Sequence, residues 1–107
     1  MSDGIHRGSI WTARLPAPSG TRPVVILTRE TAIPLLRNIT IVPVSRTVRD
    51  LPTTIELGPE HGLRHDCIVN ADNVDTIPKD WLRTRVGELG PKKLDELARA
   101  VRRALDL

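Results

Sequence analysis

The chain has 107 residues, 16 Lys and Arg against 13 Asp and Glu, a formal net charge of +3, and two aromatic side chains, Trp11 and Trp81. That length suits one domain, residues 1–107, with an aliphatic core, and 27% charged against 39% hydrophobic residues argues against a disordered chain. No run of about 18 apolar residues offers a membrane span, the first residues lack an apolar leader so a cytoplasmic location is expected, and Cys67 alone permits neither an intramolecular disulfide nor a Cys-based metal cluster.

Gly8 to Leu15 alternates and predicts a strand, with Ile10, Thr12 and Arg14 on one face and Trp11, Ala13 and Leu15 on the other. Residues 16–21, PAPSGT, form a loop. Pro23 to Thr28 is a continuous β-branched run, as in a strand buried on both faces, with Pro23 at its start where a missing N–H is tolerated. Glu30 to Leu36 has room for one helical turn, limited by Pro34. Asn38 to Ser45 reads as a third strand, in which Pro43 predicts an edge or a bulge.

A basic connection, residues 46–52, leads to a half-buried strand over Thr53 to Leu57 and a turn over 58–62. Asp66 to Asn73 predicts another strand, followed by a short connection through VDTIP. One helical turn is expected over Lys79 to Arg83 and a short strand over Arg85 to Leu89. Gly90 and Pro91 then open an amphipathic helix whose stripe is Leu94, Leu97, Ala98, Val101, Ala104 and Leu105. Asp95 and Glu96 early, with Arg102 and Arg103 late, suit the helix dipole. Short strands and one terminal helix predict an α+β fold, mainly β: a small, strongly bent sheet or barrel with the helix packed on it.

Thirteen of the sixteen basic residues are Arg, and residues 1–55 carry seven of them against three acidic groups. Arg binds phosphate through a planar fork, so a phosphate-rich partner fits this half of the chain, although solvated surface charge explains any single Arg as well. His6, His61 and His65 lack zinc-site context, and the turn residues Pro59 and Gly62 argue against a His61–His65 chelate. No phosphate-binding glycine loop or Gly-x-Ser-x-Gly elbow is present, and Cys67 reads as a buried, inert thiol. What remains is Arg22 before the buried strand, Ser45 at the end of the third, and Asp72-Asn73 after CIVN. Alone, these also read as a surface residue, a turn former and a cap.

Together, RGSIW (7–11), TRPVVILT (21–28), Pro43-Val44-Ser45, LPTTIEL (51–57), DCIVNADNVDTI (66–77), RVGELGP (85–91) and the terminal helix resemble the MazF/PemK family of toxin endoribonucleases. The resemblance implies a small SH3-like barrel of short antiparallel strands with a C-terminal helix, assembled as a homodimer. It implies metal-independent, cofactor-free cleavage of single-stranded RNA (mRNA, tRNA or rRNA) by 2′-OH attack on the adjacent phosphate, and neutralisation by a cognate acidic antitoxin of the MazE type. The family's motif arginine falls on Arg22, its hydroxyl residue on Ser45 in place of the usual Thr, and its acidic residue on Asp72, with Asn73 in place of Gln. These three are the catalytic candidates. Arg14, Arg46, Thr47 and Arg49, which flank the proposed site, are candidates to grip RNA, as are Thr21, Asn70 and Asn73 within the motifs. The PAPSGT loop is shorter than the family's usual one and lacks its acidic and amide groups. Two other functions are open to a chain of this kind: a CcdB-like gyrase poison without catalytic residues, and a non-catalytic RNA-binding SH3-like module.

Overall fold

The computed structural model describes residues 4–46 and 51–107. Its strands are β1 (Ser9–Arg14), β2 (Thr21–Ile26), β3 (Asn38–Ser45), β4 (Thr54–Leu57), β5 (Cys67–Asn70), β6 (Asp75–Pro78) and β7 (Leu82–Glu88), and the chain ends in helix α1 (Gly90–Leu105). All pairings are antiparallel, and the sheet order is β4-β5-β3-β2-β1-β7, with β6 on β3. The result is the expected mainly-β α+β fold, a curled antiparallel sheet with one C-terminal helix.

β3 is the hub. One edge pairs with β2, while the other pairs first with β6 (Ile41↔Asp75) and then with β5 (Ser45↔Ile68). Between those partners the chain makes a 3₁₀ turn, Ala71–Asn73. The β3–β5 register extends to set Pro43 opposite Asn70, the last residue of β5, from which this turn starts. The missing N–H of Pro43 therefore falls at a break in the partner strands rather than at the sheet edge, which is how a central strand accepts a proline. Within VDTIP, expected as a connection, Asp75–Pro78 is β6: only Ile77 of this short strand is deeply buried, so its alternation is barely visible in the sequence. Over residues 30–35 the chain makes hydrogen-bonded turns without a helix.

Strand alternation divides the apolar side chains into two clusters. Ile10, Val25, Val42, Val44, Ile55 and Val69 face α1, which contributes buried Leu97 and Ala100. Val24, Ile26, Ile39, Ile41 and Ile77 face the other way, with Trp11 and Trp81 packed at the margin. Trp11 is half-buried, its indole N–H donating to the Gly4 carbonyl at 2.9 Å. The helix stripe turns slightly from expectation: Ala100 is buried and Leu105 is 56% exposed.

Two glycines close the curl. A Cβ on Gly62 would lie 2.3 Å from the Val86 carbonyl oxygen, and one on Gly87 would lie 2.0 Å from that of His61. The 3₁₀ turn after β4, Pro59–His61, thus meets β7 backbone to backbone, joining the two ends of the sheet.

Candidate active site

Arg22 sits in β2 opposite Ala13 of β1. The β2–β3 register runs Val24↔Pro43, Val25↔Val42 and Ile26↔Ile41, and its extension sets Arg22 opposite Ser45. Opposed residues of an antiparallel pair share a face. Arg22 and Ser45 therefore lie side by side on one face, where the β1–β2 hairpin meets the end of β3. Arg14 and Thr21 face each other across the same end, both exposed, and Arg46 follows Ser45 into solvent.

The half-buried Arg22 donates from Nη2 to the Val44 carbonyl oxygen at 2.6 Å. The reason is in the ladder. Leu27 N–H donates to the Thr40 carbonyl, so alternate β2 residues 27, 25 and 23 turn their backbone groups toward β3. At 23 the residue is proline, and the oxygen opposite it is that of Val44. The ladder has no donor there, and the guanidinium supplies one. Four of its five N–H groups make no other hydrogen bond to the described residues, and Arg22 has no ion pair among them.

On the far side of β3, the β3–β5 register extends to bring Asn70 opposite Pro43, on the same face as Arg22 and Ser45. Asn70 caps the Ala71–Asn73 turn, its Oδ1 accepting from the Asp72 N–H at 2.9 Å. The buried Thr53 lies beneath, with Oγ1 2.9 Å from Asp72 Oδ2 and 3.2 Å from Asn70 Oδ1. Both are acceptors, so the single hydroxyl proton is shared between them. The Asp72 carboxylate is thus held by Thr53, not by a fork to Arg22. Asp72 and Asn73 are exposed at the rim.

Arg22, Ser45 and Asn70 are brought together, Arg14, Thr21 and Arg46 surround one end of that row, and Asp72 and Asn73 flank the other. Thr47 and Arg49 lie outside the described residues. Thr53 was not among the sequence candidates; its only signal was its place in TTIEL. His61, by contrast, is buried with Nδ1 accepting from the Gly58 N–H at 3.2 Å, and Cys67 is a buried free thiol. Among the described residues no three His, Cys, Asp or Glu side chains converge to hold a metal. No helix among them is long and apolar enough to cross a membrane.

Similar proteins share this fold. Endoribonuclease MazF3 of Mycobacterium tuberculosis is 41% identical over 86 residues, spanning 80% of this chain and 84% of that protein. The structure of the Mycobacterium tuberculosis toxin MazF-mt6 superimposes with a TM-score of 0.85 at 38% identity, over 92% of this chain and 97% of that one. A mycobacterial endoribonuclease solved in complex with its cognate antitoxin gives a TM-score of 0.84 at 28% identity, over 95% of both chains. The model of the PemK-like, MazF-like toxins of type II toxin–antitoxin systems matches residues 6–105, and the chain belongs to that family.

Proposed function

We propose that this protein is the toxin of a type II toxin–antitoxin pair and cleaves single-stranded RNA in the cytoplasm, without a metal, at short sequence motifs. The observation that carries this reading is the Arg22 guanidinium, anchored on the Val44 carbonyl beside Ser45 with its remaining donors available.

In the proposed reaction the 2′-oxygen of one nucleotide attacks the adjacent phosphorus. The 2′-hydroxyl gives its proton to water, the P–O5′ bond breaks and the leaving 5′-oxygen takes a proton from water, so that a 2′,3′-cyclic phosphate and a 5′-hydroxyl are left. Negative charge grows on the non-bridging oxygens during attack. Arg22 meets that charge with a planar, cationic fork of N–H donors. The Ser45 hydroxyl donates to a phosphate oxygen. Asp72, held by the Thr53 hydroxyl and through its N–H by Asn70, keeps Asn70 and the rim in place rather than acting as base. Arg14, Thr21, Arg46, Thr47, Arg49 and Asn73 grip the flanking strand. The partner that silences the site is an acidic antitoxin of the MazE type, and the working form is a homodimer.

Incubating the purified protein with a mixed RNA pool in EDTA, beside a DNA supercoiling assay, tests the reading. The expected result is RNA fragments with 5′-hydroxyl ends and untouched gyrase activity. Arg22→Ala should remain folded and lose ~10²–10³ in rate, equivalent to ~2.7–4 kcal/mol. Near-normal cleavage by that variant, or a strict metal requirement, would overturn the mechanism.

A further inference from the structure

We propose that Pro23 is a positioning residue for Arg22: by withholding a backbone donor, it leaves the Val44 carbonyl for the arginine side chain. The inference rests on the reading of Arg22 as the group that meets the RNA phosphate.

Three observations carry it. The nitrogen of residue 23 faces β3, because Leu27, four residues on, donates from the same side of the strand to Thr40. The register places Val44 opposite residue 23. The Val44 oxygen is bonded at 2.6 Å by Nη2 of the residue immediately before the proline. An ordinary residue at 23 would direct an N–H along the ladder at this oxygen, at about 2.9 Å. Two donors would then compete for the approach that Nη2 occupies alone. Arg22 would be left with a flexible side chain and no anchor beside Ser45. The proline also costs the sheet little, since the missing bond is replaced by one to a charged donor, which is the stronger kind.

The arrangement explains the position of Pro23 within β2. It is the third residue of the strand, not the first, and it lies in the sheet interior between β1 and β3. A proline there is unfavourable unless the carbonyl opposite finds another donor. The site uses that vacancy to fix a guanidinium whose other N–H groups make no hydrogen bond to the described residues.

The test compares wild type, Pro23→Ala and a semisynthetic chain with N-methylalanine at 23, which lacks both the N–H and the ring. Pro23→Ala should fold with an unchanged or higher Tm, and the new amide at position 23 should be protected from hydrogen exchange. Its kcat for RNA cleavage should fall at least ~tenfold, with KM little changed, as expected for a displaced catalytic group. N-methylalanine should recover most of that kcat. By NMR the Arg22 Nη1 and Nη2 signals should be distinct in wild type and in the N-methylalanine chain, and merge in Pro23→Ala as rotation about the guanidinium bond is freed.

Wild-type kcat in Pro23→Ala with its new amide protected would overturn the proposal. So would an N-methylalanine chain as slow as the alanine variant, because the ring rather than the missing donor would then be responsible. Should Pro23→Ala not fold, N-methylalanine and the wild-type Arg22 signals still decide the matter. Failure of the functional reading has a different signature: Arg22→Ala would cleave normally while the Arg22 signals of the wild type still reported the anchor.

Discussion

Nη2 of Arg22 lies 2.6 Å from the carbonyl oxygen of Val44, the atom opposite a proline in the β2–β3 ladder. The bond ties a side chain on the face of the sheet to the backbone within it. It also divides the guanidinium into one anchored N–H and a remainder that can meet a ligand. Lysine carries the same charge but as a single flexible point without the fork. Arg22→Lys should therefore keep the fold and weak RNA binding yet show most of the rate loss of Arg22→Ala. Single-turnover cleavage of a short RNA checks this, and a lysine variant within about threefold of wild type would mean that charge alone suffices.

Thr53 makes the second prediction. Its hydroxyl is shared between Asp72 Oδ2 and Asn70 Oδ1 in a buried position. Thr53→Val preserves the shape and removes the donor, leaving two acceptors on one side of the turn without it. The expected cost is about 1 kcal/mol in urea unfolding, with cleavage reduced less than by Arg22→Ala. A loss in kcat as deep as that of Arg22→Ala, at unchanged stability, would move Asp72 from positioning into the chemistry.

Much of this was readable in the chain. β3 occupies the predicted span, Asn38–Ser45, because its apolar run is bounded by polar residues on both sides. The helix begins at Gly90, and the two-sided burial of Val24, Val25 and Ile26 follows from an unbroken β-branched run. What the chain hid depends on register. That Arg22 stands opposite Ser45, that Val44 lacks a ladder donor, and that Thr53 reaches Asn70 and Asp72 are relations between segments distant in sequence. β6 escaped notice because four residues ending in proline, with one deeply buried side chain, carry almost no periodic signal. The closure at Gly62 and Gly87 was equally hidden, since a glycine chosen for close approach looks like any turn glycine.

That closure gives the third prediction. With a Cβ at Gly87 the nearest atom is the His61 carbonyl oxygen, 2.0 Å away and part of the backbone, so no side chain can move aside. Gly87→Ala must separate β7 from the Pro59–His61 turn. Overpacking of this kind costs on the order of 3 kcal/mol, which lowers Tm by roughly 15 °C in a protein of this size. Gly20→Ala, where nothing lies within 4 Å but φ is +65°, is the control and should cost less, about 1 kcal/mol. Calorimetry that ranked the two the other way would contradict the seam.

Glu30 supplies a prediction about pH. Its carboxylate accepts from the His6 ring at 2.8 Å and from the Arg7 N–H at 3.0 Å, pinning the segment before β1 to the turn after β2. The His6 hydrogen bond, aided by that from Arg7, holds the Glu30 carboxyl below its ordinary 4.5. A lowered carboxyl pKa stabilises the fold above the unfolded value, and that contribution disappears as pH falls through the folded one. The pair is exposed, so the effect is within about 1 kcal/mol. The stability difference between wild type and Glu30→Gln should be present above pH 4.5 and vanish on acidification below it. A difference that grew toward acid would reverse the assigned sign.

The scarcity of aromatic rings makes the last prediction. Stacking on aromatic side chains contributes about 1–3 kcal/mol per base in proteins that hold single strands that way. Here Trp11 and Trp81 are both half-buried against the second cluster, and Trp11 has its N–H committed to Gly4. RNA must then be held mainly by arginines and backbone groups, which makes affinity salt-dependent. Each phosphate neutralised on a single strand contributes about −0.7 to the slope of log K against log salt. Arg14, Arg22 and Arg46 alone should give a slope of about −2. The measurement is titration of a 2′-O-methyl oligonucleotide, which lacks the attacking hydroxyl and stays intact. Arg46→Ala should flatten the slope by about 0.7. A salt-independent affinity that collapsed in Trp81→Ala would instead place the bases on a ring.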